Sequence, residues 1–491
     1  MTGSIRETAG RQTATGRSQA GTGRRGGRRR ENAVGKIALR ERMPLILFLA
    51  ALIVVTLGGG SSRTDVASLV YVRPCLVLII AMMALLVQPE NLRPLRWPLL
   101  LATLALLVVG AQLIPLPPAV WMALPGHDLV AGAAVAQGVP QIWRPLSLTP
   151  DLTLQAALWF LAPAAAFLGW ACLTETDRRI AVLAVIAVCL VSAILGGLQA
   201  SGGMLYLYQR TYEGNAVGFL ANRNHQGALL ALAFPLLRVA TLLPTRSSGI
   251  VRARMIAAGV AALALVPMIL LTASRAGMAL GVLGIVIAGV IAPWQTPGRT
   301  TGKFARIMPL VMAGALIASG LLVLLSGRAL SVSRLFGSNV ESDLRVRYAP
   351  LTFDLARQYF PTGSGAGSFD AVFRIAEPDA ILKPTFFNHA HNDFLEIVLT
   401  TGVPGALLVL AGLGWWLTRG WRLASDRWNE RGVRGAHSRD WTASLALAGL
   451  SAMLILMVAS IVDYPLRTPL LGFVFALSAC WTVKPPASFT K

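Results

Sequence analysis

The residues best suited to chemistry form a short run, His391-Asn392, followed after nine residues by Gly402 and after two more by Gly405. This spacing puts an imidazole and an amide at the mouth of an apolar helix whose next turns carry Gly402-Val403-Pro404-Gly405. Glycines there permit close backbone approach, and Pro404 favours a bend within the span. Imidazole is the side chain suited to general-base work near neutral pH. The plainer reading is an interfacial histidine bonded to lipid or backbone.

Three further polar groups sit at the same boundary: Arg223-Asn224-His225, Ser274-Arg275 and Asp463-Tyr464-Pro465-Leu466-Arg467. A boundary arginine can simply snorkel to lipid phosphate. Ser274-Arg275 resists that explanation, because a tight hairpin between two apolar runs gives its side chain little freedom to avoid the bundle. Ionisable groups facing a bundle interior are functional by default. Asn392, Arg223, His389 and Arg467 are therefore candidate cleft residues beside His391 and Arg275. His389 and His391 with Asp393 and Glu396 also admit a metal-cluster reading. A His-x-His pair spreads over alternate faces, and no His-x-x-x-His pairing exists, so neither metal nor cofactor is expected.

The elements that must position these residues are membrane helices. Of 491 residues, 55% are hydrophobic and 13% charged, half the charge of a typical soluble protein. That excludes a soluble enzyme, a disordered chain and a disulfide scaffold. The four cysteines, Cys75, Cys172, Cys189 and Cys480, lie in or beside apolar runs and read as small hydrophobes. The expected fold is all-α, a polytopic membrane protein of about twelve transmembrane helices. The runs are 44–60, 68–88, 97–116, 154–173, 179–199, 225–243, 255–272, 276–294, 308–326, 394–418, 442–462 and 468–483. Residues 1–43 read as a disordered basic cytoplasmic tail, 44–483 as the transmembrane domain and 484–491 as a short C-terminal tail.

With both termini inside, the inner segments carry 29 Lys/Arg and the outer ones 14. This is the asymmetry of the positive-inside rule. The net charge of +22 is thus a topology signal, and no nucleic-acid partner is implied. The largest outer loop, 327–393, contains a stretch from Arg345 to Phe360 with Leu351, Leu355 and Tyr359 at helical spacing. It reads as an amphipathic helix along the outer membrane surface.

Taken together, these features resemble the bacterial O-antigen ligase and polymerase family. The resemblance rests on His391-Asn392-x9-Gly402-x2-Gly405 after a large outer loop, on Gln112-Leu113-Ile114-Pro115-Leu116-Pro117-Pro118, and on Gly218-Phe219-Leu220-Ala221-Asn222-Arg223-Asn224-His225. It rests also on Ser274-Arg275, Gly363-x-Gly365-x-Gly367-x-Phe369 and Asp463-Tyr464-Pro465-Leu466-Arg467-Thr468-Pro469. It implies an inner-membrane glycosyltransferase acting at the periplasmic face on an undecaprenyl-diphosphate-linked glycan, inverting and independent of metal. The acceptor would be another glycan or a lipid, and other polysaccharide-assembly proteins are candidate partners. The family's loop histidine corresponds to His391, as base for the acceptor hydroxyl, and its hairpin arginine to Arg275, as diphosphate ligand. Its large-loop arginine corresponds to Arg347 or Arg345. An ion-coupled transporter is the main competitor, but such proteins carry mid-membrane charges that these runs lack.

Overall fold

The computed structural model describes residues 23–291, 344–379, 387–429 and 439–483. The chain is mostly helical. The longer described helices are α1 (Gly23–Gly58), α2 (Leu69–Leu86), α3 (Arg96–Ala111), α4 (Asp128–Ala136), α5 (Pro150–Leu158), α6 (Leu161–Cys172), α7 (Glu175–Gly202) and α8 (Arg223–Ala240). They continue with α9 (Ser248–Leu271), α10 (Arg275–Val290), α11 (Leu344–Gln358), α12 (Phe369–Ala376), α13 (Asp393–Asn429), α14 (Arg439–Val462) and α15 (Pro469–Trp481). The strand pairing described is one two-residue antiparallel contact, Pro115 and Leu116 against Pro145 and Arg144.

Eight of the described helical stretches are long and apolar enough to cross a membrane. They coincide with eight of the twelve expected runs. Helices α10 and α15 are apolar but shorter. The expected ninth run, 308–326, lies outside the described residues, so the count of twelve is not established. Helix α8 fills the place of the sixth run with a different character. It is buried on all sides from Asn224 to Leu237, as befits a central helix rather than a lipid-facing one. Its polar start, Arg223-Asn224-His225-Gln226, is what sets it apart from the apolar spans. Helix α1 begins at Gly23, within the basic stretch expected to lack structure, although its membrane-length part is Glu41–Gly58.

Small residues bring α8 and α10 close together. A Cβ on Gly227 would lie 2.5 Å from the Gly277 Cα, and one on Gly284 would lie 2.5 Å from the Ala231 carbonyl oxygen. The contacts advance together along both helices, so the two run parallel, with their N-termini at the same end.

Helix α13 is broken. Gly402 sits at φ 60°, ψ −145°, inside an otherwise helical run. Only glycine adopts that region readily, and a Cβ there would lie 2.1 Å from the Pro361 carbonyl oxygen. A break inside an apolar helix frees backbone groups that must find new partners. The turn 361–367 supplies them: the amides of Ser364 and Gly365 donate to the carbonyls of Leu399 (3.1 Å) and Thr400 (2.9 Å), and Val403 donates to Pro361 (2.9 Å). Gln112 completes the joint. Its Nε2 donates to Thr400 O (2.9 Å) and its Oε1 accepts from the Ala366 amide (2.8 Å). The glycine-rich turn, the Gln112 stretch and Gly402 are thus one construction.

Helix α11 occupies the expected amphipathic stretch. Its apolar stripe, however, does not face outward: Leu355 and Tyr359 are buried, and Leu351 half-buried, with Tyr348, Phe369, Phe373, Phe387 and Leu399 in a second core apart from the main bundle. The stripe meets the aromatic rings of Phe369 and Phe373 on α12 and of Phe387, with Leu399 of α13 beside them.

Candidate functional site

Loops from five parts of the chain meet at the end of the bundle where α8, α10 and α13 begin. The Leu470 amide donates to Gly59 O (2.9 Å), Ala221 to Gly60 O (3.0 Å), and Gly60 to the Tyr208 hydroxyl (2.6 Å). A Cβ on Gly60 would lie 2.0 Å from Phe219 O. This weave holds the connectors that carry the polar side chains.

Asp463 lies at the centre and is 1% exposed. Its Oδ1 is 3.1 Å from His391 Nδ1 and accepts from the Tyr464 amide (3.0 Å). Its Oδ2 accepts from the amides of Asn224 (2.5 Å) and Asn222 (3.3 Å). His225 Nε2 is 3.7 Å from Oδ1. Burial pushes this carboxyl up, but hydrogen bonds and positive charge from His225 and His391 outweigh it and hold Asp463 well below the usual carboxylate range. His391 has φ 51°, a strained value for a residue with a Cβ. Its ring lies 4.9 Å from both Phe387 and Tyr464. With Nδ1 committed to Asp463, proton chemistry falls to Nε2.

A chain of bonds runs onward to the hairpin arginine. Asn224 Oδ1 accepts from Ser274 Oγ (2.7 Å), and Ser274 caps α10 by accepting from the Gly277 amide (2.9 Å). Arg275 follows as the first residue of α10, and its side chain is exposed. Ala273, at φ 51°, makes the turn into this cap.

The remaining expected residues divide. Arg347 is exposed in the first turn of α11, next to Tyr348, whose ring packs 4.9 Å from Phe387 and so lies two contacts from His391. Arg345 is on the same helix, with its side chain outside the described residues. Asn392 is a cap: its Oδ1 accepts from the Leu395 amide (3.0 Å) and its carbonyl from Glu396 N (3.0 Å). Arg467 is held by Asp393 (2.8 Å) and Glu396 (3.1 Å), both buried. Glu396 also meets His389 Nδ1 (3.0 Å) and the Ala390 amide (2.8 Å), and Asp393 accepts from Ser460 (2.9 Å). Arg223 lies over the Tyr212 ring at 4.9 Å and donates to Asn215 (3.4 Å). Of the side chains in the metal-cluster reading, Asp393 and Glu396 share Arg467, His389 pairs with Glu396 and His391 with Asp463, and no three-ligand group occurs among the described residues.

Residues 260–410 match the family model described as O-antigen ligase. The match supports the O-antigen ligase/polymerase family for this chain. Arg275, Arg345, Arg347 and His391 fall inside the matched O-antigen ligase segment. Asp463, His225, Asn222, Asn224 and Arg467 fall outside it, although the fold joins them to it. No curated protein matches the chain.

Sequence reasoning placed His225 and Asp463 at the boundary but gave them no role. The signal was there in retrospect. Asp463 is a lone acid opening a short connector between two apolar runs, where an unpaired carboxylate would be expensive.

Proposed function

We propose that this protein is a membrane glycosyltransferase that moves an oligosaccharide from undecaprenyl diphosphate to an acceptor hydroxyl, with inversion and without a metal. The observation that carries the reading is the His391–Asp463 pair, joined through Asn224 to Ser274-Arg275 and overlapping the O-antigen ligase segment. In this reading the acceptor hydroxyl gives its proton to His391 Nε2 as its oxygen bonds the anomeric carbon. The bond from that carbon to the diphosphate oxygen breaks, and undecaprenyl diphosphate leaves. Asp463 orients the ring and stabilises the imidazolium that forms. Arg275, with Arg347 or Arg345, offsets the charge growing on the leaving diphosphate.

An apolar cavity of about 400 Å³ supports a lipid donor. It lies among α3, α6, α13, α14 and α15, lined by residues such as Phe167, Ile397, Trp415, Met457 and Phe475, with Asp393 and Ser460 on its wall. The charge partition supports both termini on the cytoplasmic side, and so a periplasmic site, while the family resemblance supports an inner-membrane location.

Polymerisation of surface or exported polysaccharide is the favoured reaction. The outer segments carry 14 basic against 13 acidic residues, so they form no basic platform for a heavily phosphorylated acceptor. Ligation to lipid A-core or to protein is the second reading, favoured by the family's description. A deletion strain separates them by glycan length. Single repeat units on their usual carrier support polymerisation, whereas full-length polymer left on undecaprenyl diphosphate overturns it in favour of ligation. Complementation with His391→Ala is expected to fail in either case.

A further inference from the structure

The buried charges around Arg467 have no part in the transfer described above, although apolar side chains in place of a buried ion pair are often neutral or stabilising. Glu396 is fully buried in the first turn of α13. Its Oε2 accepts from the Ala390 amide (2.8 Å), and its Oε1 faces His389 Nδ1 (3.0 Å) and Arg467 Nη1 (3.1 Å). Its own amide donates to Asn392 O (3.0 Å). Residues 389, 390 and 392 are thereby all bonded to Glu396, and His391 between them reaches across to Asp463. A residue with a Cβ held at φ 51° persists only where its surroundings over-determine it. Glu396 supplies that restraint.

The other side of the arrangement is the connector 463–468. Asp463 and Arg467 are four residues apart on it, and His391 and Glu396 are five residues apart in the facing turn. The two segments are therefore joined twice, by His391 Nδ1 to Asp463 Oδ1 (3.1 Å) and by Arg467 to Glu396. Arg467 Nε also donates to Asp393 Oδ1 (2.8 Å), and Asp393 Oδ2 accepts from Ser460 of α14 (2.9 Å). Tyr464 packs beside both joints, its ring 4.3 Å from that of His389 and 4.9 Å from that of His391. A planar guanidinium shared by two carboxylates has a fixed direction, so the second joint sets the spacing of the first.

We propose that Glu396 and Arg467 are positioning residues for the transfer: a charged brace beside the His391–Asp463 pair that holds the imidazole where its Nε2 meets the acceptor hydroxyl. The proposal rests on the glycosyltransferase reading above and deepens it. In this role neither residue touches the substrate. Their loss acts through His391 on turnover and leaves the donor's binding surface in place. Misplacing a reacting group by about 1 Å can lower a rate about a hundredfold.

The test is steady-state transfer by the purified full chain in lipid nanodiscs, with donor-free melting as a check on folding. The donor is the lipid-linked glycan extracted from the deletion strain, the acceptor is that strain's total lipid, and the readout is undecaprenyl diphosphate released. The expected result is that Glu396→Gln lowers kcat about ten- to hundredfold. KM for the donor stays within about threefold, as it does when an interaction serves the transition state alone. Arg467→Met falls as far. Arg467→Lys stands between Arg467→Met and wild type, because an ammonium keeps the charge without the fork, and it carries the test should the other two not fold. Three results overturn the brace: undiminished kcat in Glu396→Gln or in Arg467→Lys, a KM that rises as far as kcat falls, or Arg467→Lys no faster than Arg467→Met. The glycosyltransferase reading survives all three. If wild type releases no undecaprenyl diphosphate, that reading falls and the brace with it.

Discussion

At the scale of single residues, Asp463 makes the sharpest commitments. If it orients His391, Asp463→Asn should lower transfer about 10²–10⁴-fold while leaving donor binding within a few-fold, because asparagine keeps the shape but loses the charge that supports the imidazolium. His391→Ala should lose at least as much. The check is transfer by purified variants set beside lipid binding by the same preparations. Equal losses in binding and transfer would instead mark Asp463 as structural. The acid behaviour has a definite sign. A carboxyl held below its ordinary value stabilises the fold above the unfolded value of about 3.9 and loses that contribution as pH falls through the lower folded value. Melting in detergent should therefore fall on acidification below about pH 4, and less steeply in Asp463→Asn than in wild type. His391 and Arg275 were legible in the sequence because their spacing and hairpin context set them apart. Asp463, His225 and Tyr464 were visible as boundary polar residues, but the long-range contacts that unite them are not a local property of the chain.

At the scale of elements, the broken helix explains why distant motifs travel together. Gly402 alone suggests only a bend. The structure shows a full interruption whose freed carbonyls are taken by the 361–367 turn and by Gln112, more than two hundred residues earlier in the chain. Sequence periodicity identifies the helix and its weak point, but it cannot show which loop fills the gap. Gly402→Ala should be strongly destabilising, since the alanine meets both a forbidden backbone region, costing about 1–3 kcal/mol, and the Pro361 carbonyl. Gln112→Leu should cost about 1–3 kcal/mol by leaving Thr400 O and the Ala366 amide buried without that partner. Melting of both variants in detergent checks these values. A Gln112→Leu protein as stable as wild type would mean that the turn closes the break unaided. Helix α11 teaches a related lesson. Its stripe of Leu351, Leu355 and Tyr359 was evident from spacing, but whether such a stripe meets lipid or protein depends on the aromatic surface of α12 and Phe387, which spacing does not reveal.

At the scale of the whole molecule, most of the net charge of +22 falls on segments assigned to the cytoplasm, so orientation and function can be tested together. Reporter fusions after residues 130 and 370 should register periplasm, and one after 430 cytoplasm; a periplasmic signal at 430 would invert the molecule and remove the site from its lipid-linked donors. The apolar cavity among α3, α6, α13, α14 and α15 adds a second whole-molecule test, because no single helix encloses it. Ile397 and Met457 face it from two different helices, while Asp393 on its wall belongs to the polar cluster that leads through α13 to His391. If the cavity takes the polyprenyl chain, its walls should govern affinity in proportion to chain length, because apolar burial contributes about 0.8 kcal/mol for each methylene. Filling it with Ile397→Trp or Met457→Trp should weaken undecaprenyl diphosphate much more than a short-chain analogue such as farnesyl diphosphate, whose headgroup would still reach Arg275. Equal weakening of both would show that the substitutions disturb the polar site itself. Unchanged binding of the long chain would place the lipid on another face of the bundle, and the donor would then have to approach His391 from the opposite side of α13.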